Sequence, residues 1–177
     1  RRQTRQARES MAKTRAKAAE ALGKIGSEQS IALLMRVLRE EDNTVVREYT
    51  LKGLLEFRDL SLSTVYAETA ENDIAPKNRI LGVVGMSQYP DKVQKSTAEK
   101  VLTDTNPIVR VSVLKLMGLS GRGEMLPLIA RSAQDPEDQV KRMTSYILAG
   151  FDSRESADVL FYLAQDKDRV TVLSALD

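Results

Sequence analysis

The sequence predicts an all-α solenoid in which antiparallel helix pairs stack side by side. An aspartate recurs at a constant interval of 31 residues, and apolar residues flank each aspartate at helical spacing. Aromatic residues make up only 5% of the chain, which does not favour long strands. The recurring aspartates are Asp42, Asp73, Asp104, Asp135 and Asp166. Four equal intervals in one chain are hard to reach by chance and indicate a repeated structural unit.

The residues around these aspartates repeat as well. A cation follows three of them by six residues, at Arg79, Arg110 and Lys141. In the first unit the cation is Arg47, one position early, which predicts a turn one residue shorter. Proline opens the segment after the aspartate, where its missing N–H has no helical partner and costs little. These prolines are Pro76, Pro107 and Pro136.

Each aspartate is expected to lie in a short turn between a first and a second helix. Helix starts are expected at polar residues that precede the apolar stretches, namely Ser30, Ser63, Asp91 and Ser156. Two helices of about 12 residues cannot cover their apolar faces alone, whereas stacked neighbours can. We therefore expect one repeat domain over residues 14–177, with one leading helix and about five pairs, the last of them truncated.

A basic leader is predicted over residues 1–13. Residues 1–24 contain eight cations and two acids, a net charge of +6, while the whole chain has a net charge of +2. The leader has three interpretations: a solvated helix extension, a connector beside a membrane or another domain, or a contact to nucleic acid. The missing initial Met and the absence of polar capping repeats predict a fragment of a longer protein. We expect a cytoplasmic chain, or the cytoplasmic part of a membrane-anchored protein.

The composition argues against several kinds of catalytic site. The chain has no His and no Cys, which removes the commonest general base, the commonest metal ligand and every thiolate nucleophile. It has no phosphate-binding loop of the Gly-x-x-x-x-Gly-Lys-Ser/Thr type, and its acidic clusters are typical of solvated helix ends. We therefore predict a protein that is not an enzyme and needs no cofactor and no metal.

The turn sequences resemble those of the HEAT-repeat family, including the bacterial HEAT-like repeats of phycobilin lyases. The resemblance lies in Asp104-Thr-Asn-Pro-Ile-Val-Arg110, in Asp135-Pro-Glu-Asp-Gln-Val-Lys141 and in the helix end Ala21-Leu-Gly-Lys-Ile-Gly26. It covers roughly residues 14–177. It implies a right-handed superhelix in which turn aspartates and second-helix cations form a ladder along the stack.

The resemblance also implies that the second helices line a concave surface. The ladder acids would then be Asp42, Asp73, Asp104, Asp135 and Asp166. The cations expected to contact a partner on the concave surface are Arg47, Lys52, Lys77, Arg79, Arg110, Lys115 and Lys141.

These features favour a scaffold that binds a partner protein or peptide. Two alternatives stay open at this point: a HEAT-like module that binds nucleic acid, and a subunit similar to a bilin lyase. A membrane is expected to be reached only through a tether outside residues 1–177.

Overall fold

A computed structural model describes residues 2–165, with side chains from residue 6 onward. All regular structure in this range is helical, with ten α-helices and three short 3-10 helices, which confirms the all-α prediction. The contacts divide the chain into two compact units, Arg1–Gln88 and Tyr89–Asp177. The predicted extent of the repeat domain, residues 14–177, stays a prediction. Each unit consists of helix pairs joined by short turns.

The first unit contains five helices. They are α1 Arg2–Ile25, α2 Glu28–Glu40, α3 Thr44–Leu54, α4 Leu62–Asn72 and α5 Pro76–Met86. The second helices of this unit are α1, α3 and α5, and α3 packs against both of the others. The first helices α2 and α4 each pack against the second helix that follows them.

The second unit contains the remaining five α-helices of the described range. They are α6 Lys95–Leu102, α7 Pro107–Ser120, α8 Leu126–Arg131, α9 Asp138–Leu148 and α10 Arg154–Leu163. The second helices α7 and α9 pack against each other, while α6 packs on α7 and α8 packs on α9. The 3-10 helices Pro90–Lys92, Gly123–Met125 and Ser132–Gln134 lie at the ends of the first helices.

The spacing from the turn acid to the start of the second helix is the same in all four turns that the structure describes. Each of these helices begins three residues after an acid, and the starts are Thr44, Pro76, Pro107 and Asp138. The acid before Thr44 is Glu41, so the prediction of a shorter first turn was wrong. Pro136 also differs from the prediction, because it lies within its turn and α9 begins two residues later.

Serine side chains cap two of the first helices, three residues before the predicted starts. Ser27 accepts a hydrogen bond from the backbone N–H of Ser30 (3.1 Å), and Ser153 accepts one from that of Ser156 (3.0 Å). A capping oxygen satisfies an N–H of the first turn that has no helical acceptor. Ser30 and Ser156 therefore lie inside the first turn, although the sequence predicted them as the caps.

The predicted basic leader is part of α1, which continues without a break across residue 13. Each of the other second helices begins three residues before its repeat cation. The corresponding cation of α1 is Arg15, so the equivalent position in α1 is Ala12. Ala12 and Ala16 are buried against Val46 of α3. Residues 2–11 therefore lie before the position at which the other second helices begin, while the predicted boundary at residue 13 stays a prediction.

Glycines allow neighbouring helices of the first unit to approach closely. A Cβ atom on Gly23 of α1 would lie 2.5 Å from the Cα of Gly53 in α3. A Cβ atom on Gly82 of α5 would lie 2.5 Å from the backbone nitrogen of Ala70 in α4. No side chain fits at such distances, so these positions set how near the helices pack.

We expect Leu54→Ala and Leu114→Ala each to destabilise the protein by about 2–5 kcal/mol, because each removes a buried side chain and leaves a cavity. Both leucines are fully buried in the core. The matched control is Leu119→Ala, since Leu119 is 70% exposed. Urea unfolding checks this, and a midpoint that is unchanged for both buried variants would contradict the packing described.

Candidate functional site

Four acids have the same role in their turns. Each side chain accepts a hydrogen bond from the backbone N–H two residues further along the chain, which fixes the turn that precedes a second helix. The acceptor–donor pairs are Glu41–Asn43 at 3.0 Å, Asp73–Ala75 at 2.9 Å, Asp104–Asn106 at 2.8 Å and Asp135–Glu137 at 2.9 Å. Asp73, Asp104 and Asp135 are therefore placed as the sequence predicted.

The cation six residues after each of three turn acids donates to that turn's backbone. Arg79 donates to the carbonyl of Asp73 at 2.8 Å, and Arg110 donates to that of Asp104 at 2.8 Å. Arg47 donates to the carbonyl of Glu41 at 3.3 Å and also to that of Leu38. The constant spacing of six residues between turn acid and arginine therefore has a structural cause, because it brings the guanidinium group to the carbonyl of the turn acid.

Two of these arginines also bind the carboxylate of the following turn. Arg47 lies 2.6 Å from Asp73, whose side chain is fully buried. Arg110 binds Asp135 with two hydrogen bonds, of 2.7 Å from Nε and 2.6 Å from Nη2. The hydrogen bond to Asp135 raises the pKa of Arg110. The structure thus places Arg47 and Arg110 in a ladder of charge-assisted bonds and not on an open surface.

The first ladder pair consists of Arg15 and Glu41, which the sequence analysis missed. Arg15 donates from Nε to Glu41 at 2.7 Å and from Nη2 at 3.2 Å. Asp42, the predicted ladder acid, is exposed beside it, so that prediction is corrected to Glu41. The spacing could have shown this, because Glu41 precedes Arg47 by the usual six residues. Asp166 lies outside the described residues.

Most of the other predicted partner-binding cations already have an acidic neighbour. Lys52 and Lys77 lie 2.6 Å and 2.8 Å from the same carboxylate, that of Glu48. Burial would raise the pKa of Glu48, but the hydrogen bonds from the two lysines hold it below its usual range. Lys141 lies 2.8 Å from Asp138. These contacts neutralise much of the positive surface that the sequence predicted.

Lys115 differs from the other six cations. It is exposed on α7 and forms no ion pair within residues 6–165. It lies at the edge of a groove between α7 and α9, with a volume of about 1000 Å³. Lys115 is therefore the one groove residue among the predicted partner-binding cations. It was predicted as part of a uniformly basic surface, which the fold does not have.

The groove is apolar along its walls. Leu119 of α7 is 70% exposed and Tyr146 of α9 is 75% exposed. Met143 and the half-buried Phe151 also line it. A large exposed side chain is ordinary when it is isolated, but several that line one groove are typical of a binding site.

Three glycines line the groove, namely Gly118, Gly121 and Gly150. At Gly121 nothing lies within 4 Å of the position that a Cβ atom would take. A Cβ atom on Gly118 would lie 3.1 Å from Ile147, so α7 and α9 also approach closely here. The sequence pattern alone does not show which of these glycines face another helix, because that depends on how α7 and α9 pack.

The comparisons with known proteins agree with this architecture. A family model for HEAT repeats matches residues 4–54. Residues 4–54 are therefore similar to HEAT repeats. The predicted resemblance to this family is confirmed, and HEAT repeats generally act as scaffolds for protein interactions.

Twelve solved chains match in structure. One is the X-ray structure of YibA from E. coli, with a TM-score of 0.72 and 16% sequence identity. The match covers 89% of this chain and 61% of YibA, and at this identity it supports the fold alone. The comparison with curated proteins found no match, so the likeness to phycobilin lyases stays a prediction.

No helix within residues 2–165 has both the length and the apolar character that a membrane crossing requires. No group of three or more Asp or Glu side chains within the described part of the chain is arranged to hold a metal ion.

We expect Glu41→Gln to lower the urea midpoint at neutral pH, while Asp42→Asn leaves it unchanged. The hydrogen bond from Arg15 lowers the pKa of Glu41, so the carboxylate stabilises the fold above the ordinary glutamate pKa. That stabilisation is lost as the pH falls through the lowered pKa. The gap between wild type and Glu41→Gln should therefore narrow by about pH 3. A larger effect of Asp42→Asn would contradict the assignment of Glu41.

Proposed function

We propose that this chain is a protein-binding scaffold and not an enzyme, and that the groove between α7 and α9 receives a segment of its partner. The observation that supports this most directly is the set of exposed apolar walls around an open groove. Leu119 and Tyr146 are largely exposed, and covering them would remove apolar area from water. At many interfaces, a few large side chains that fill pockets supply most of the binding affinity.

The chemistry of the groove supports binding and not turnover. Its side chains are apolar apart from Lys115 and Asp152, and the sequence offers no His or Cys as a base or nucleophile. The hydrogen bonds of Arg47 and Arg110 serve the ladder. A scaffold is therefore the function that best fits both the composition and the geometry.

The same charges weigh against a nucleic-acid site on α3, α5 and α7. Binding to a phosphate backbone needs several cations that are free to replace counterions. Lys52 and Lys77 share Glu48, and Arg110 is held by Asp135. Lys115 alone offers too little positive charge for this purpose.

A selection from a library of random peptides, each of about 16 residues, tests the proposal. Immobilised wild-type protein should enrich peptides with large apolar residues. The double variant Leu119→Ser, Tyr146→Ser should bind those peptides at least ten-fold more weakly, because two exposed anchors of the groove are lost. The control Phe161→Ser removes an aromatic side chain that is 72% exposed on α10, outside the groove, and should bind normally.

Two results would contradict the proposal. One is the absence of enriched peptides. The other is enrichment that is equally strong with the double variant, since binding would then not depend on the groove. Circular dichroism of both variants checks that they fold, as expected for substitutions of exposed residues.

A further inference from the structure

The two helices that form the groove run in the same direction. Near their starts, Arg110 of α7 binds Asp135 in the turn before α9. Near their ends, Gly118 of α7 lies beside Ile147 of α9. The groove therefore has one end toward the start of both helices and another end toward their C-termini.

The two ends of the groove differ in charge. Lys115 lies toward the first end and is exposed. At the other end Asp152 lines the groove and is also exposed. The C-termini of α7 and α9 reach the same end, and the free carbonyl groups of a helix C-terminus add partial negative charge. The groove is thus positive at one end and negative at the other.

The length of the groove fits two turns of an α-helix. Lys115 and Gly121 are six residues apart along α7, which corresponds to about 9 Å. Two turns of a bound helix span about 11 Å. At Gly121 nothing lies within 4 Å of the position that a Cβ atom would take, so this end of the groove is open. Placing an amphipathic helix in such a groove is a recurring mode of peptide recognition.

Building on the function proposed above, we infer that the occupant is an amphipathic partner helix with a Lys or Arg near its start and an Asp or Glu about two turns later. Its N-terminal end lies at Asp152, where the positive end of its own dipole meets the negative end of the groove. Its later acid reaches Lys115. Its apolar face covers Leu119 and Tyr146, and it runs antiparallel to α7 and α9.

Other occupants fit the groove less well. A nucleic acid or an anionic membrane surface would meet the carboxylate of Asp152 and only one free cation, Lys115. An extended peptide has no net dipole to match the two ends of the groove. The pairing of a positive and a negative end therefore favours a helix of defined direction.

Charge reversal at both ends of the groove tests this inference. A peptide enriched by the wild-type protein is compared with a version in which its basic and acidic residues are exchanged. Wild type should prefer the original by about ten-fold, since two attractive pairs become repulsive. The double variant Lys115→Glu, Asp152→Lys should prefer the exchanged peptide by a similar factor. Both substituted residues are exposed, so the fold should be unaffected.

A matched control reverses charges outside the groove. Arg154→Glu, Asp158→Lys exchanges two exposed residues of α10 that lie 4.0 Å apart, and should keep the wild-type preference. A proline in the middle of the peptide should also weaken binding at least ten-fold if the peptide binds as a helix. Equal binding of the proline peptide would overturn the inference.

The outcomes separate the inference from the function on which it rests. If peptides bind through Leu119 and Tyr146 but charge reversal at Lys115 and Asp152 leaves their preference unchanged, the inference fails and the scaffold function stands. If no peptide binds through the groove, both fail. A reversed preference in the double variant supports both.

Discussion

The hydrogen bonds between a second-helix arginine and the carboxylate of the following turn fix how neighbouring repeats meet. Arg110 shows the arrangement most fully, because it binds Asp135 with two bonds and its own turn through the carbonyl of Asp104. Three chain segments are joined by one planar guanidinium group. The pair is nearly buried, so loss of one partner would leave a charge without its counterion in a poorly solvated place.

This pairing also determines the position of the groove. It holds the starts of α7 and α9 together, and the close approach of Gly118 to Ile147 sets the separation toward their ends. With both ends fixed, the exposed Leu119 and Tyr146 form the walls of an open channel. The structural role of the ladder and the proposed binding role of the groove therefore belong to the same two helices.

The fold could be predicted from the sequence because its determinants are local. The turn acid, the cation six residues later and the apolar periodicity all lie within one repeat. Glu41 was missed because the repeat was followed through aspartate alone, whereas a glutamate side chain also reaches the N–H of Asn43. The pattern also suggested that Lys52 and Lys77 were free. Glu48 precedes Lys52 by four residues on α3, a spacing that already favours an ion pair. Its contact with Lys77 becomes visible only once α3 and α5 are packed together.

The groove was harder to predict, because it depends on which residues of two helices face each other. The sequence marked Lys115 for its charge, but it did not place Lys115 in one channel with Leu119 and Tyr146. The most direct test of the account is a double-mutant cycle on unfolding free energy with Arg110→Met, Asp135→Asn and their combination. A coupling on the order of 1–3 kcal/mol is expected for a buried, bidentate pair. Additive effects, within about 0.5 kcal/mol, would contradict it.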